Sequence, residues 1–195
     1  MRVRDRTIIR DVIWFQYSKL VARRAYKLQD GHEAKKHCYG FIKNLLHELQ
    51  AGTKSWEEVT RENWPAVVAE EKCLYCGSED DLDRVPILPR PHLINDRCPY
   101  CDKRQSARNL VWVCGSCVAQ KGDLGFYEFF KLRMPDQVKF YDFIPALVEK
   151  KYLEAAYECL DCAKRLDEGD ADGDDELTVL DIDHALKSDA PAPSE

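Results

Sequence analysis

The sequence predicts an α+β chain, helical at both ends around a middle third of short strands and paired cysteines. Three observations predict it. Apolar residues recur at helical spacing on both sides of the middle. The middle trades that rhythm for short apolar runs broken by proline. Eight of the nine cysteines fall in Cys-x-x-Cys pairs. At 195 residues the chain can bury one substantial core, or one core plus a small metal-stapled module. A hydrophobic content of 45% excludes wholesale disorder.

Taken in order, residues 7–28 read as a helix, with Ile9, Val12, Ile13, Tyr17, Leu20, Val21 and Leu28 on its apolar side. Asp30-Gly31 breaks it. A second helix over 33–50 carries Cys38, Phe41, Ile42, Leu45, Leu46 and Leu49, and ends near Gly52. Cys38 reads as a core residue there, since a free cysteine packs as a small hydrophobe. Ser55-Trp56-Glu57-Glu58 is a capping-box pattern for a short third helix ahead of Trp64-Pro65. Strands are expected at Leu82 to Leu88 and Asn109 to Val113. Helices are expected at Leu124 to Leu132, after Pro145 and over 179–187. The last segment, 188–195, has the composition of a disordered tail.

The net charge of −6 is unevenly spread. Residues 1–72 balance to +4, residues 73–145 to zero and residues 146–195 to −10. A basic front and an acidic end leave nucleic-acid contact open despite the overall sign. No apolar run approaches the roughly 18 to 20 residues of a membrane span. The arginine-rich stretch Met1 to Arg10 lacks an h-region and a cleavage site, so a secretory signal is not expected and a cytoplasmic address is.

The cysteine pairs are Cys73/Cys76, Cys98/Cys101, Cys114/Cys117 and Cys159/Cys162. Without a secretion signal such pairs point to metal rather than to disulfides. Two sulfurs spaced this way bind one tetrahedral ion, and two such pairs fill four positions, so zinc is the expected cofactor.

Between Cys73 and Gly125 the chain reads Cys-Leu-Tyr-Cys-Gly, then Leu-Asp-Arg-Val-Pro-Ile-Leu-Pro, then Cys-Pro-Tyr-Cys. It closes with Asn-Leu-Val-Trp-Val-Cys-Gly-Ser-Cys-Val-Ala-Gln-Lys-Gly. This resembles the HNH endonuclease superfamily, specifically its members with a zinc held by four cysteines. The closing phrase is the most specific part, and the resemblance covers about a quarter of the chain. It implies a small zinc-stapled ββα core of treble-clef type, and the N-terminal and C-terminal helices read from apolar spacing are expected to flank it. It also implies Cys73, Cys76, Cys114 and Cys117 as the ligands of one zinc. The division expected is a helical region over 1–72, the HNH-like module over 73–134, C-terminal helices with an acidic loop over 135–187, and the tail.

In that family a histidine at the end of the first strand acts as general base beside a second divalent ion, and an asparagine orients it. Here the chain departs. If the family's Asp-His pair falls on Asp83-Arg84, arginine replaces the base; if it falls on Val85-Pro86, both groups are gone. Arginine stays protonated and takes no proton from water at neutral pH. Val118, directly after Cys117, cannot bind a metal. Asn109 is retained. His92, the only histidine between the knuckles, reads either as a relocated base or as a loop residue without a role.

The expectation is therefore a zinc-binding, HNH-like protein that binds DNA or RNA with little or no cleavage. Arg97, Lys103, Arg104, Arg108 and Lys121 are the expected phosphate contacts, with steep salt dependence. Tyr100 and Trp112 are candidates for base stacking. Two rivals stand beside this reading. One is an active endonuclease using Mg²⁺ or Mn²⁺ with Asp83, His92 and Asn109 in a rearranged site. The other is a non-enzymatic interaction scaffold presenting the first two helices.

Two further metal sites are open. Cys98, Cys101, Cys159 and Cys162 can hold a second zinc. Alternatively Cys98/Cys101 shares one ion with Cys73/Cys76 while the other pairs are core residues. Asp170, Asp172, Asp174 and Asp181 stand at positions 1, 3, 5 and 12 of a segment that looks like a dockerin or EF-hand calcium loop, with Asp175 where glycine is usual.

Overall fold

Ile9, Val12, Ile13, Tyr17 and Leu20 form a buried stripe along helix α1 (Ile9–Ala25), the spacing that a helix needs to present one face to a core. The structure, a computed structural model, describes residues 6–26, 32–61, 71–88, 110–135 and 143–187. The first amides of α1 are satisfied from far along the chain. Ile9 and Arg10 N–H donate to the carbonyls of Glu168 and Leu166 at 2.8 and 2.9 Å.

Helix α2 (His32–Gln50) packs along α1 through Leu45 and Leu49, and Gln50 Nε2 donates to Asp11 Oδ1 at 2.9 Å. Cys38 is half-buried rather than a core residue. The capping box at α3 (Trp56–Thr60) is present: Glu58 N–H donates to Ser55 Oγ at 3.2 Å and Ser55 N–H to Glu58 Oε2 at 2.7 Å. The helix ends at Thr60, ahead of Trp64-Pro65.

Strands β1 (Leu82–Pro86) and β2 (Leu110–Cys114) pair antiparallel, with Leu82 opposite Cys114, Arg84 opposite Trp112 and Pro86 opposite Leu110. β1 stops at Pro86, short of the expected Leu88, because a proline nitrogen cannot extend the ladder. Ile87 and Leu88 instead enter the core.

Helix α4 (Gly115–Lys121) starts directly after β2, and Gly122 at φ +46° ends it. Apolar spacing did not locate this helix, although the ββα resemblance implies one after the second strand. Three helices complete the described chain: α5 (Phe126–Arg133), α6 (Ala146–Cys162) and α7 (Leu180–Lys187).

The core is continuous from α1 to α7. α5 is its aromatic wedge. Phe126 stacks on Tyr152 of α6 with ring centroids 4.3 Å apart, while Phe129 and Phe130 meet Tyr75 at 4.9 and 5.3 Å. One helix thus touches the first cysteine knuckle on one side and the C-terminal helices on the other. The architecture is helix-rich α+β with one small two-stranded sheet. Among the described residues, no helix is long and apolar enough to cross a membrane.

Candidate metal centre

Local turns bring four sulfurs to one place. After Cys73 the chain closes a tight turn, with Gly77 N–H donating to the Cys73 carbonyl at 2.8 Å and Cys73 N–H to the Ser78 carbonyl at 2.7 Å. Gly77 sits at φ +75°, where a side chain would be strained. Leu74 N–H then donates to the Trp112 carbonyl at 2.9 Å, fastening the turn to β2. Cys114 is the last residue of β2 and Cys117 lies in α4, so the sheet ending and the helix start fix the second pair.

The sulfurs of Cys73, Cys76, Cys114 and Cys117 all lie within 4.8 Å of one another, and Cys76 and Cys114 Sγ are 3.6 Å apart. Tetrahedral zinc with Zn–S bonds of about 2.3 Å places its sulfurs roughly 3.8 Å apart. A disulfide would require about 2.05 Å, and all four cysteines are free. The spacing therefore fits a shared metal ion such as zinc. Cys73, Cys114 and Cys117 are buried, while Cys76 is exposed.

The electrostatics point the same way. Burial pushes the Cys73 thiol up, but hydrogen bonds from Cys114, Cys76 and Tyr75 outweigh it and bring it down to about 7. Burial pushes the Cys117 thiol up to about 12, aided by Cys76 and Cys114 and opposed by Arg133. Four thiols in mutual contact cannot all ionise without a cation between them, and a divalent ion removes that conflict.

Other expected residues are placed as follows. Asp83 is exposed on β1, and its carboxylate accepts the Arg84 N–H at 2.7 Å. Asn109 and His92 lie outside the described residues, as do Cys98, Cys101, Arg97, Tyr100, Lys103, Arg104 and Arg108. Val118 is exposed on α4 and offers no ligand atom. Lys121 is turned inward: its ammonium donates to the Leu124 carbonyl at 2.5 Å, and burial pushes its pKa down. Trp112 is half-buried with the Arg84 guanidinium 4.9 Å from its ring centre, so that face is already covered.

The second cysteine set is not completed among the described residues. Cys159 is buried near the end of α6. Cys162 is half-buried at the end of the same helix.

The acidic loop does gather carboxylates. Oxygens of Asp170, Asp172 and Asp174 lie within 4.8 Å of one another. Asp170 also accepts the amides of Gly173 and Asp175, each at 2.7 Å. Asp175 stands at φ +65°, so the expected strain at the glycine position is present. Asp181 does not join the three. It is fully buried, and its oxygens accept the amides of Ala171 and Thr178, both at 2.6 Å.

Sequence reading missed three residues that position the centre. Tyr75 is buried against α5 from inside the first knuckle. Arg133 Nη1 donates to Cys117 Sγ at 3.0 Å. Asp183 caps α5 from α7, accepting the amides of Phe126 and Glu128 at 3.0 and 2.9 Å and the Tyr152 hydroxyl. Gly125, at the N-cap, has no side chain to do this, and a Cβ there would stand 2.3 Å from Asp183 Cγ. An aromatic inside a Cys-x-x-Cys and a glycine at an N-cap were the available signals; the partners, far along the chain, gave none. No protein-family model, curated protein or solved structure matches this chain.

Proposed function

We propose that this chain is a zinc-held, HNH-like nucleic-acid-binding protein with little or no cleavage activity. The observation that carries the reading is the convergence of Cys73, Cys76, Cys114 and Cys117 at the meeting point of a turn, a two-stranded antiparallel ribbon and a helix. That order of elements supports a treble-clef, ββα-type core. Zinc in such a place would be structural: four thiolates fill its coordination and leave no position for water or phosphate. Its binding would contribute directly to folding of the ribbon.

The weak-cleavage part rests on chemistry that is missing. β1 offers Asp83, Arg84 and Val85 and no imidazole, and α4 offers Val118 after its last cysteine. A hydrolase needs a base within reach of water and a group to hold a divalent ion. The basic stretch that includes Arg97, Lys103, Arg104 and Arg108 supplies the proposed phosphate contacts through its sequence alone.

Three measurements on the purified chain test this. Elemental analysis is expected to return zinc. A mobility-shift assay with DNA and RNA is expected to show binding that weakens steeply with salt. Plasmid incubated with Mg²⁺ or Mn²⁺ is expected to stay intact. Nicking that His92→Ala abolishes would establish the active endonuclease instead. Absence of nucleic-acid binding at low salt would leave the interaction scaffold.

A further inference from the structure

Each buried sulfur of the centre must have its charge stabilised by something other than water, and Cys76, Cys73 and Cys117 are served differently. Cys76 is exposed and is solvated. Cys73 is hydrogen-bonded by backbone groups of Cys114, Cys76 and Tyr75. Cys117 is among the most buried, and the groups that act on its thiol are the three other cysteines and Arg133. Arg133 is the one cation in that set, with Nη1 3.0 Å from Cys117 Sγ.

Arg133 is also held for the task. It sits in the last turn of α5, and its guanidinium lies 5.5 Å from the centre of the Phe129 ring. Phe129 in turn meets Tyr75, within the first knuckle, edge-on at 4.9 Å. The arginine is therefore braced by an aromatic pair that spans the two halves of the centre.

We infer that Arg133 is the positioning and charge-balancing residue of the tetrathiolate, donating an N–H···S hydrogen bond that keeps Cys117 on the metal. The inference rests on the zinc reading above. Zinc with four thiolates carries a net charge of −2, and a guanidinium in contact with one sulfur reduces it. A hydrogen bond to a thiolate lowers the energy of its lone pairs, which makes the sulfur less basic toward protons and less ready to leave the metal. Outer partners of metal ligands typically govern affinity by about 10- to 100-fold.

The test uses the full chain loaded with cobalt, whose sulfur-to-metal charge-transfer band reports the electron density on the thiolates. Arg133→Met keeps the aliphatic stem over Phe129 and removes the donor and the charge; Arg133→Gln keeps a donor and removes the charge. In Arg133→Met the band is expected to move to longer wavelength. Zinc release to a competing chelator is expected to accelerate about tenfold or more. Arg133→Lys, which keeps the charge, is expected to recover part of the release rate. Wild-type band position and release rate in both Arg133→Met and Arg133→Gln would overturn the inference while leaving the metal centre standing. Failure of the wild-type chain to develop the thiolate-to-cobalt band would overturn both.

Discussion

The cysteine centre and the acidic loop each gather like charges, yet they are built on opposite terms. At the centre three of four sulfurs are buried and the thiols stay in conflict until a cation arrives. In the loop the carboxylates of Asp170 and Asp174 are exposed, and those of Asp170, Asp172 and Asp174 spend their oxygens on their own backbone amides. The loop is closed without an ion. The difference teaches which cluster needs its metal: the one that water cannot solvate.

Removing the proposed zinc therefore has the largest expected effect. Cys114→Ser, or a strong chelator, is expected to abolish cooperative folding of residues 71–135. Structural zinc binding is worth roughly 10 to 16 kcal/mol, as much as the whole stability of a typical domain. Hydrogen exchange resolved along the chain is the measurement, and unchanged protection of β1 and β2 would break the comparison.

Asp183 is a buried carboxylate that does work the loop's carboxylates do not. Asp183→Ala leaves the α5 amides and the Tyr152 hydroxyl unpaired in the core, at a cost of about 2 to 4 kcal/mol in a denaturant titration. Burial also pushes its carboxyl up to about 6, from an ordinary value near 3.8. The stability linked to it is fully present below the unfolded value and is lost as pH rises through about 6. Asp183→Asn is expected to flatten the stability profile between about pH 4 and 6, with the metal content of both chains held the same.

Tyr75→Ala is expected to cost about 3 kcal/mol, as for other buried aromatics, and to loosen the knuckle against α5. Urea midpoints with and without saturating zinc separate the two contributions.

The loop is expected to respond least. Asp175 at φ +65° and the commitment of Asp181 to backbone amides both work against tight calcium binding. Protection of residues 167–187 from proteolysis is expected only at millimolar calcium, with a stability gain below about 1 kcal/mol. Micromolar affinity would show that the loop too is a site built around its ion.

Much of this plan was legible in the sequence. Helical spacing located α1 and α6 because each buries one continuous stripe. Ser55 and Glu58 located α3 because a capping box is local chemistry. The cysteine pairs announced a candidate metal centre because ligand spacing is a property of neighbours in sequence. What stayed hidden is long-range. Nothing near Gly125 says that its cap comes from α7, and nothing near Cys117 says that an arginine on the next helix reaches its sulfur. Nor does anything beside the knuckle say that the Lys121 ammonium meets the Leu124 carbonyl.

The cap on α5 carries a consequence for how the protein is made. A ribosome releases Cys117 well before it releases Asp183, so the nascent chain can capture its metal while α5 still lacks its N-terminal acceptor. Under the proposed zinc reading, metal loading would come first and docking of the C-terminal helices second, with the final helix supplying the α5 cap last.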